Sequence, residues 1–567
     1  MATRHDISSV PLQGGYVAKR CPVRAQNDAL VPAQPIPPSP VLERRFQRGR
    51  LFETEIVADL RRLHADAIAV EGADSAALEV ATAAAIAAAV PLILGGRLQS
   101  DAIGRRVGKP DLLVAAPGGG YRPVDIKHHM ALEPADLRSL PSTCSELSRP
   151  ALEDAETDGT TRARKHKGDF LQLAHYQRML EAAGFAAGDG RHGGIIGVER
   201  RVVWHDLDAP IWRTPSSSGT QKMRSTMEMY DFEFDFRLDV IAVARQHADD
   251  PAVELLVVPV KLAECGGCPW WDYCRPQLEA GSGDVSLVPR IGWREWKILH
   301  DHGVTDRAAL AALDVPTARL MAADSGMSAL PEQIDQARAA LGPDPVYRRR
   351  GIDAIVVPRG DIEVDVDMEN AEDGVYLWGA LLTDRSAMPA SIVRYRPFVT
   401  WDPLGPEVQT SNFLEFWNWL MGIRTGAHAA GRTFRAYCYS AAAENTYLRK
   451  LGITGQVLDQ VEGFIDSDDW VDMLRVFDSQ LITGGGSGLK VVAPLAGYTW
   501  EVDDPGGEES MIRYEIAVGS SSSEAERLAA REWLLTYNRG DVEATLAIRA
   551  WLDGNSRSIA PIGSLDP

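Results

Sequence analysis

Positive charge is in deficit, long apolar runs are missing, and cysteine is scarce. Lys and Arg number 59 against 79 Asp and Glu, a formal net charge of -20. That balance excludes a uniformly basic nucleic-acid coat. The most apolar stretch, Ala76–Leu94, is mostly Ala and contains Glu79, so it reads as a helix running into a strand and not as a membrane span. The opening Met1-Ala-Thr-Arg-His-Asp6 has no apolar h-region, and the expectation is a cytoplasmic chain without membrane contact. No G-x-x-x-x-G-K-[ST] loop occurs, which excludes a built-in P-loop motor.

What is present is a long, globular composition. The chain has 567 residues, 45% of them hydrophobic and 24% charged, enough for roughly three or four domains. The acidity is uneven. Residues 1–280 carry 33 basic and 37 acidic side chains, whereas residues 281–567 carry 26 and 42. Of six cysteines, Cys265, Cys268 and Cys274 are crowded together, while Cys21, Cys144 and Cys438 are dispersed. In a reducing compartment such crowding points to metal more than to disulfide.

The residue pattern predicts an α/β multidomain fold. A proline-rich connector, Pro32–Pro40, leads into a charged helix over about Leu42–His64. Strand-like runs follow at Pro91–Leu98, Lys109–Ala115 and Tyr121–His128, then a helix near Asp169–Ala183 and a strand at Gly194–Val203. Short helices with Gly at their turns fill 290–342, including Trp293–His302, Arg307–Leu313 and Pro331–Leu341. Strand alternation returns at Ala354–Met368, Gly374–Thr383 and Ile392–Tyr395, and a last helix is expected at Asp541–Leu552. The expected boundaries are 1–284, 285–345 and 346–567.

Two carboxylates and a lysine form the first constellation. Asp111 lies in Gly108-Lys-Pro-Asp111, and Asp125 lies in Val124-Asp125-Ile-Lys127. Asp125 and Lys127 are two apart, so on a strand they share a face. The acids suit a hard divalent cation, and the ammonium suits a water or a phosphate. A surface Asp–Lys pair would have the same spacing. Gln172 and Tyr176, four apart, share a helix face. Arg162-Ala-Arg-Lys-His-Lys167 is the densest basic run of the first half and reads as a phosphate track beside the centre or as a solvated flank.

In order, Gly108-x-x-Asp111, Asp125-x-Lys127 and Gln172-x-x-x-Tyr176 resemble the motifs of the RecB-like PD-(D/E)xK nucleases. The resemblance implies a restriction-endonuclease-like core in which Asp111 and Asp125 bind Mg²⁺ or Mn²⁺ and Lys127 assists the attacking water. That family often carries a His ligand on its first helix. This chain has Gly49-Arg-Leu-Phe-Glu53 there, which makes Glu53 the candidate.

Cys265-Gly-Gly-Cys268-Pro-Trp-Trp-Asp-Tyr-Cys274 is one thiolate short of a four-ligand site, and Cys21 can supply the fourth. Zn²⁺ or an iron–sulfur cluster both suit four thiolates. One cysteine before the core and three after it resembles the iron–sulfur staple of the AddB exonuclease and of CRISPR-associated RecB-like exonucleases. The resemblance implies a structural [4Fe–4S] cluster. Between the two nuclease-like regions, Pro289-Arg-Ile-Gly292-Trp and Leu299-His-Asp-His-Gly303 read as a helix–hairpin–helix-like segment, whose turn N–H groups suit phosphates. A plain helical spacer would look similar.

The second constellation is acidic. Residues 361–384 hold eight acids and no Lys or Arg, and Asp361, Glu363, Asp365, Asp367 and Glu369 alternate along one strand. Metal would relieve their repulsion, and so would solvent exposure at a sheet edge. Asp367-x-Glu369, with Tyr537-x-x-x-Asp541 far downstream, resembles the first and last motifs of a DEDD-type exonuclease with an RNase H-like fold. The segment Gly488–Trp500 resembles the stretch before the last motif, and Asp472 falls where that family has a structural acid. The resemblance implies Mg²⁺ between Asp367, Glu369 and Asp541, with Tyr537 orienting water. The expected second-motif Asp is replaced by Glu444.

The expected function is a metal-dependent DNA nuclease, exonucleolytic, acting in repair or recombination with a helicase as a separate partner. DNA is favoured over RNA. The rivals are a nucleic-acid-binding scaffold with one or both centres degenerate, and an RNA-processing 3′–5′ exonuclease.

Overall fold

The computed structural model describes residues 5–31, 40–135, 140–215, 221–371, 374–387, 391–503, 506–520, 522–555 and 557–563. The connector expected at Pro32–Pro40 lies almost wholly outside the described residues. The chain is mixed α/β, with two compact units over residues 1–259 and 260–567. No described helix is long and apolar enough to cross a membrane.

The first unit is built on an eight-stranded mixed sheet. Helix α1, Pro40–Leu63, buries Phe52, Ile56 and Leu60. These are four apart and form one stripe. Arg61 and Arg62 close its last turn, where cations meet the negative end of the helix dipole. Strands β1 (Leu92–Leu94), β2 (Leu112–Ala115) and β3 (Tyr121–Ile126) form an antiparallel meander. Helix α2, Lys167–Ala182, crosses over and returns the chain to β4, His192–Ile196, parallel to β3. Strand β5, Arg201–Asp206, then pairs antiparallel with β4. The run expected as a single strand from Gly194 to Val203 is thus a hairpin. Its turn includes Arg200 at φ 56. Leu92, Leu94, Leu112, Val114, Val124 and Ile126 pack with the stripe of α1, while Ile93 and Leu113 share a cluster with Tyr176, Met179 and Leu180 of α2.

In the second unit, four short helices (Trp293–Asp301, Arg307–Ala311, Val315–Ser325 and Leu330–Leu341) share an apolar core that includes Leu299, Leu310 and Ile334. A five-stranded sheet follows. Strands β6 (Ile362–Ala371), β7 (Gly374–Asp384) and β8 (Ser391–Val399) are antiparallel neighbours. Helix α3 (Pro406–Ala429) leads to β9 (Phe434–Cys438), which runs parallel to β6. Helix α4 (Ala442–Thr454) precedes β10 (Trp470–Asp472), parallel to β9. The order across the sheet is β8-β7-β6-β9-β10, so β6 is central, not an edge.

The final helix, α5, spans Glu524–Gly554 and starts in a capping box between Ser523 and Glu526. Asp541 therefore lies in its middle, and the expectation that this residue opens a helix is corrected. Leu534, Tyr537, Asn538, Asp541, Thr545, Ile548 and Leu552 are buried along it, a spacing of three and four that forms one face.

Candidate metal centres

In the first unit the meander places Asp111 immediately before β2 and Asp125 near the end of β3. Lys127 follows that strand, and its ammonium lies 2.7 Å from Asp125 Oδ2. Asp125 is 0% exposed, and neither of its carboxylate oxygens receives a hydrogen bond of good geometry. Asp111 Oδ2 accepts the Ile126 N–H at 2.7 Å, which ties the two strands together. Burial, then the Asp125 carboxylate, pushes the Asp111 pKa well above the ordinary range, and Glu53 acts in the same direction. Glu53 thus belongs to this electrostatic neighbourhood. Burial would depress Lys127, but Asp125 and Asp111 outweigh it and raise its pKa.

Helix α2 supports this centre. Gln172 Nε2 donates to Tyr176 OH at 2.7 Å, and Tyr176 OH donates to the Lys109 carbonyl at 3.1 Å. The ring of Tyr176 also explains the motif glycine: a Cβ on Gly108 would meet its Cδ1 and Cε1 at 2.9 Å. Lys19 extends the chain, donating from Nζ to Gln172 Oε1 at 2.7 Å. Burial, with Lys127 next, lowers the Lys19 pKa to about 8. Lys19 was not recognisable from the sequence, because 153 residues separate it from Gln172. The basic run beyond it is partly paired: Arg162 meets Glu133 at 2.9 Å and Lys167 meets Glu233 at 3.5 Å.

The second centre forms where β6 meets α5. Ligand atoms of Asp367, Glu369 and Asp541 lie within 4.8 Å of one another. Burial, then Asp541, raises the Asp367 pKa well above normal, with Glu369 and Glu444 contributing. Burial and Asp541 push Glu369 up to about 8. Asn538 Nδ2 donates to Asp367 Oδ2 at 2.7 Å, and Ser510 Oγ donates to Glu369 Oε2 at 3.0 Å. Asp541 Oδ1 accepts the Trp500 indole N–H at 2.7 Å and pairs with Lys490. Tyr537 lies one turn before Asp541 on α5, and both are buried. Glu444 is 5% exposed and its Oε2 has no partner. Burial raises its pKa to about 7. Asp472 accepts backbone N–H groups from Ser440, Ala441, Leu474 and Arg475, a structural role.

The rest of the acidic strand has other partners. Glu363 and Asp365 are 0% exposed and pair with Arg549 of α5, which is also 0% exposed. Arg359 adds a second cation to Glu363 at 2.7 Å. Asp361 accepts the backbone N–H of Thr433 at 2.9 Å. Repulsion along β6 is therefore relieved by arginine over one half, and only Asp367 and Glu369 remain for a cation.

No family model, curated protein or solved structure matches the chain.

The cysteines are divided between the units. Cys21 caps the helix Pro22–Leu30 in the first. Cys265 and Cys268 flank one turn of the second, and Cys274 lies on the helix Trp271–Leu278. The Leu262 N–H points at Cys265 Sγ at 3.3 Å. Among the described residues, no group of three ligand atoms within 4.8 Å includes a cysteine.

Proposed function

We propose that the chain is a metal-dependent DNA nuclease whose principal centre is Asp111, Asp125 and Lys127. The buried Asp125 carboxylate carries this reading. It lies beside a second carboxylate and has no hydrogen-bond donor of good geometry on either oxygen. Two adjacent buried carboxylates with one ammonium and one backbone N–H between them are under-compensated, and a divalent cation is the compensation that suits them.

Asp111 and Asp125 would hold Mg²⁺ or Mn²⁺; among the described residues Glu53 does not join them in a group of three ligand atoms within 4.8 Å and acts on Asp111 through its charge. The cation supplies an acidified water and offsets charge on the phosphate. Lys127 orients the water and adds positive charge beside Asp125. Gln172, Tyr176 and Lys19 hold the loop that carries Asp111. The order α1, three antiparallel strands, α2 and a parallel strand supports a restriction-endonuclease-like core. The sheet order β8-β7-β6-β9-β10, with α5 across β6, supports an RNase H-like second domain. The four short helices before it support the helical-hairpin reading.

For the cysteines, a [4Fe–4S] cluster remains the reading of their sequence spacing. One tetrahedral Zn²⁺ draws thiolates to about 3.8 Å apart, tighter than any cysteine triple among the described residues. Anaerobically purified protein should be brown with about four irons per chain, and a colourless protein with one zinc would rule the cluster out.

The second centre favours a binding role by a specific observation. Lys490 and Trp500 both occupy Asp541 Oδ1, and Glu444 lies outside the tight carboxylate group. An RNA-processing 3′–5′ exonuclease centred there is a separate, third reading, which the same occupancy of Asp541 disfavours.

The test is cleavage of labelled single- and double-stranded DNA, and of RNA, with Mg²⁺ and with Mn²⁺. Asp125→Ala and Lys127→Ala should each lower DNA cleavage at least about a hundredfold, while Asp367→Ala retains it. Unchanged cleavage in both first-centre variants would refute the assignment. Loss only in Asp367→Ala would move the activity to the second centre.

A further inference from the structure

We propose that His129, His166 and Asp169 form a binding site for one divalent transition-metal ion of the zinc class. The inference does not rest on the nuclease reading, and it uses none of the carboxylates assigned there. One ligand atom from each residue lies within 4.8 Å of the other two.

The backbone fixes all three. The His129 N–H donates to the Lys127 carbonyl at 2.8 Å, and the His129 carbonyl accepts the Val198 N–H at 3.1 Å. His166 is the N-cap of α2, and the Asp169 N–H donates to its carbonyl at 3.0 Å. The two imidazoles stand with ring centroids 4.2 Å apart, tilted by 43°. Asp169 Oδ2 lies 2.9 Å from His129 Nε2.

Two features point to a ligand. His166 Nε2 is buried and has no hydrogen-bond partner, a costly state for a ring nitrogen. His129 Nδ1 lies 3.2 Å from the Met130 carbonyl. His129 Nε2 faces Asp169, and that hydrogen bond raises the His129 pKa, so without metal a proton joins the two. A cation would replace that proton and would also supply the missing partner of His166 Nε2. Backbone-carbonyl support of the far nitrogen is the usual arrangement for a metal-binding histidine.

The donor set selects the ion. Two imidazole nitrogens and one carboxylate suit Zn²⁺, Co²⁺, Ni²⁺ or Fe²⁺ and not Mg²⁺ or Ca²⁺. Ligand atoms about 2.0 Å from a tetrahedral ion are about 3.3 Å apart, close to the His129–Asp169 separation. The His129 side chain is 33% exposed, which leaves the ion open to an outside ligand.

The experiment is a Zn²⁺ titration of the full-length protein against a chromophoric chelator, repeated with Co²⁺ by absorption. Wild type, His166→Ala, Asp169→Asn and Asp125→Ala are compared, with far-UV circular dichroism as a check on folding. Wild type should bind one Zn²⁺ more than His166→Ala, and its extra Co²⁺ should lack thiolate charge-transfer bands. Asp169→Asn should weaken that ion about tenfold or more, and Asp125→Ala should retain it. A simple His129–Asp169 ion pair would leave metal uptake equal in wild type and His166→Ala, which overturns the proposal. If His166→Ala misfolds, unaltered affinity in Asp169→Asn overturns it equally. Loss of the ion in Asp125→Ala alone would assign it to the other centre.

Discussion

Glu369 shows what burying a carboxylate among carboxylates does. Its pKa rises from the ordinary 4.5 to about 8, first through burial and then through Asp541. The folded chain therefore holds a proton that the unfolded chain releases between these values. Its contribution to stability is fully present below about pH 4.5 and is lost as pH rises through about 8. In EDTA, wild type should lose melting temperature over this window faster than Glu369→Gln does. By pH 9 the variant should melt higher, by about 2–4 °C for each kcal/mol of repulsion removed. Mn²⁺ should narrow or reverse the gap, because the variant lacks a ligand. Identical pH slopes in EDTA would show that Glu369 is not strained by its neighbours. The alternation Asp367-x-Glu369 was readable, because period two fixes a face. The residues that complete the site were not. Asn538 reaches Asp367 across 171 positions, and Ser510 reaches Glu369 across 141. Only tertiary packing creates those contacts. Lys490 and Trp500 fell inside a segment singled out by resemblance, but their meeting on Asp541 Oδ1 follows from the fold.

At the scale of elements, α5 against β6 holds the second centre together. Arg549 is buried between Glu363 and Asp365, and its guanidinium stacks 3.9 Å from the Tyr437 ring centroid. Removing one member of such a group leaves uncompensated buried charge, at a cost of about 3–5 kcal/mol. Arg549→Ala should therefore lower stability by that order in denaturant melts. The double change Arg549→Met with Asp365→Leu should recover much of the loss, because a well-packed apolar replacement is often nearly neutral. Equal destabilisation by the single and double variants would mean that packing volume, not charge, is what Arg549 supplies. The β6 acids were legible as a row, but their division between arginines and a cation site was not. Asp541 and Arg549 lie eight apart on α5, and the sequence pattern placed both on the last helix without showing that they share the face turned to β6. The strands β1, β2 and β3 were located within a few residues, since each is an apolar run bounded by turn residues. The β4–β5 hairpin was merged into one strand. Gly197-Val-Glu-Arg200 carries one glycine and no strong turn dipeptide.

For the whole molecule, the net charge of -20 argues against nucleic acid only if the basic residues are dispersed. The local basic tracks expected from the sequence lie chiefly at Arg162–Lys167 and Arg348–Arg350. The structure employs much of that charge internally. Arg348 donates to the carbonyls of Ile559 and Ile352, Arg349 pairs with Glu332 at 3.0 Å, and Arg350 pairs with Asp335. Arg162 and Lys167 have acidic partners as described above. Within these two tracks few described cations remain to displace counterions from a phosphate backbone, so binding to DNA through them without metal should be weak. Each neutralised phosphate adds about -0.9 to the slope of log K against log salt. In EDTA the slope should be shallower than about -2, corresponding to one or two such contacts. With Ca²⁺, a hard cation offered to the acidic centres, affinity should rise in wild type. The gain should be lost in the double variant Asp111→Asn with Asp125→Asn. A steep slope in EDTA, near -5 or beyond, would show an extensive basic surface that the pairing described here does not provide. Tight, metal-independent binding without any cleavage would favour the scaffold over the nuclease, because then the acidic centres contribute nothing to holding the backbone.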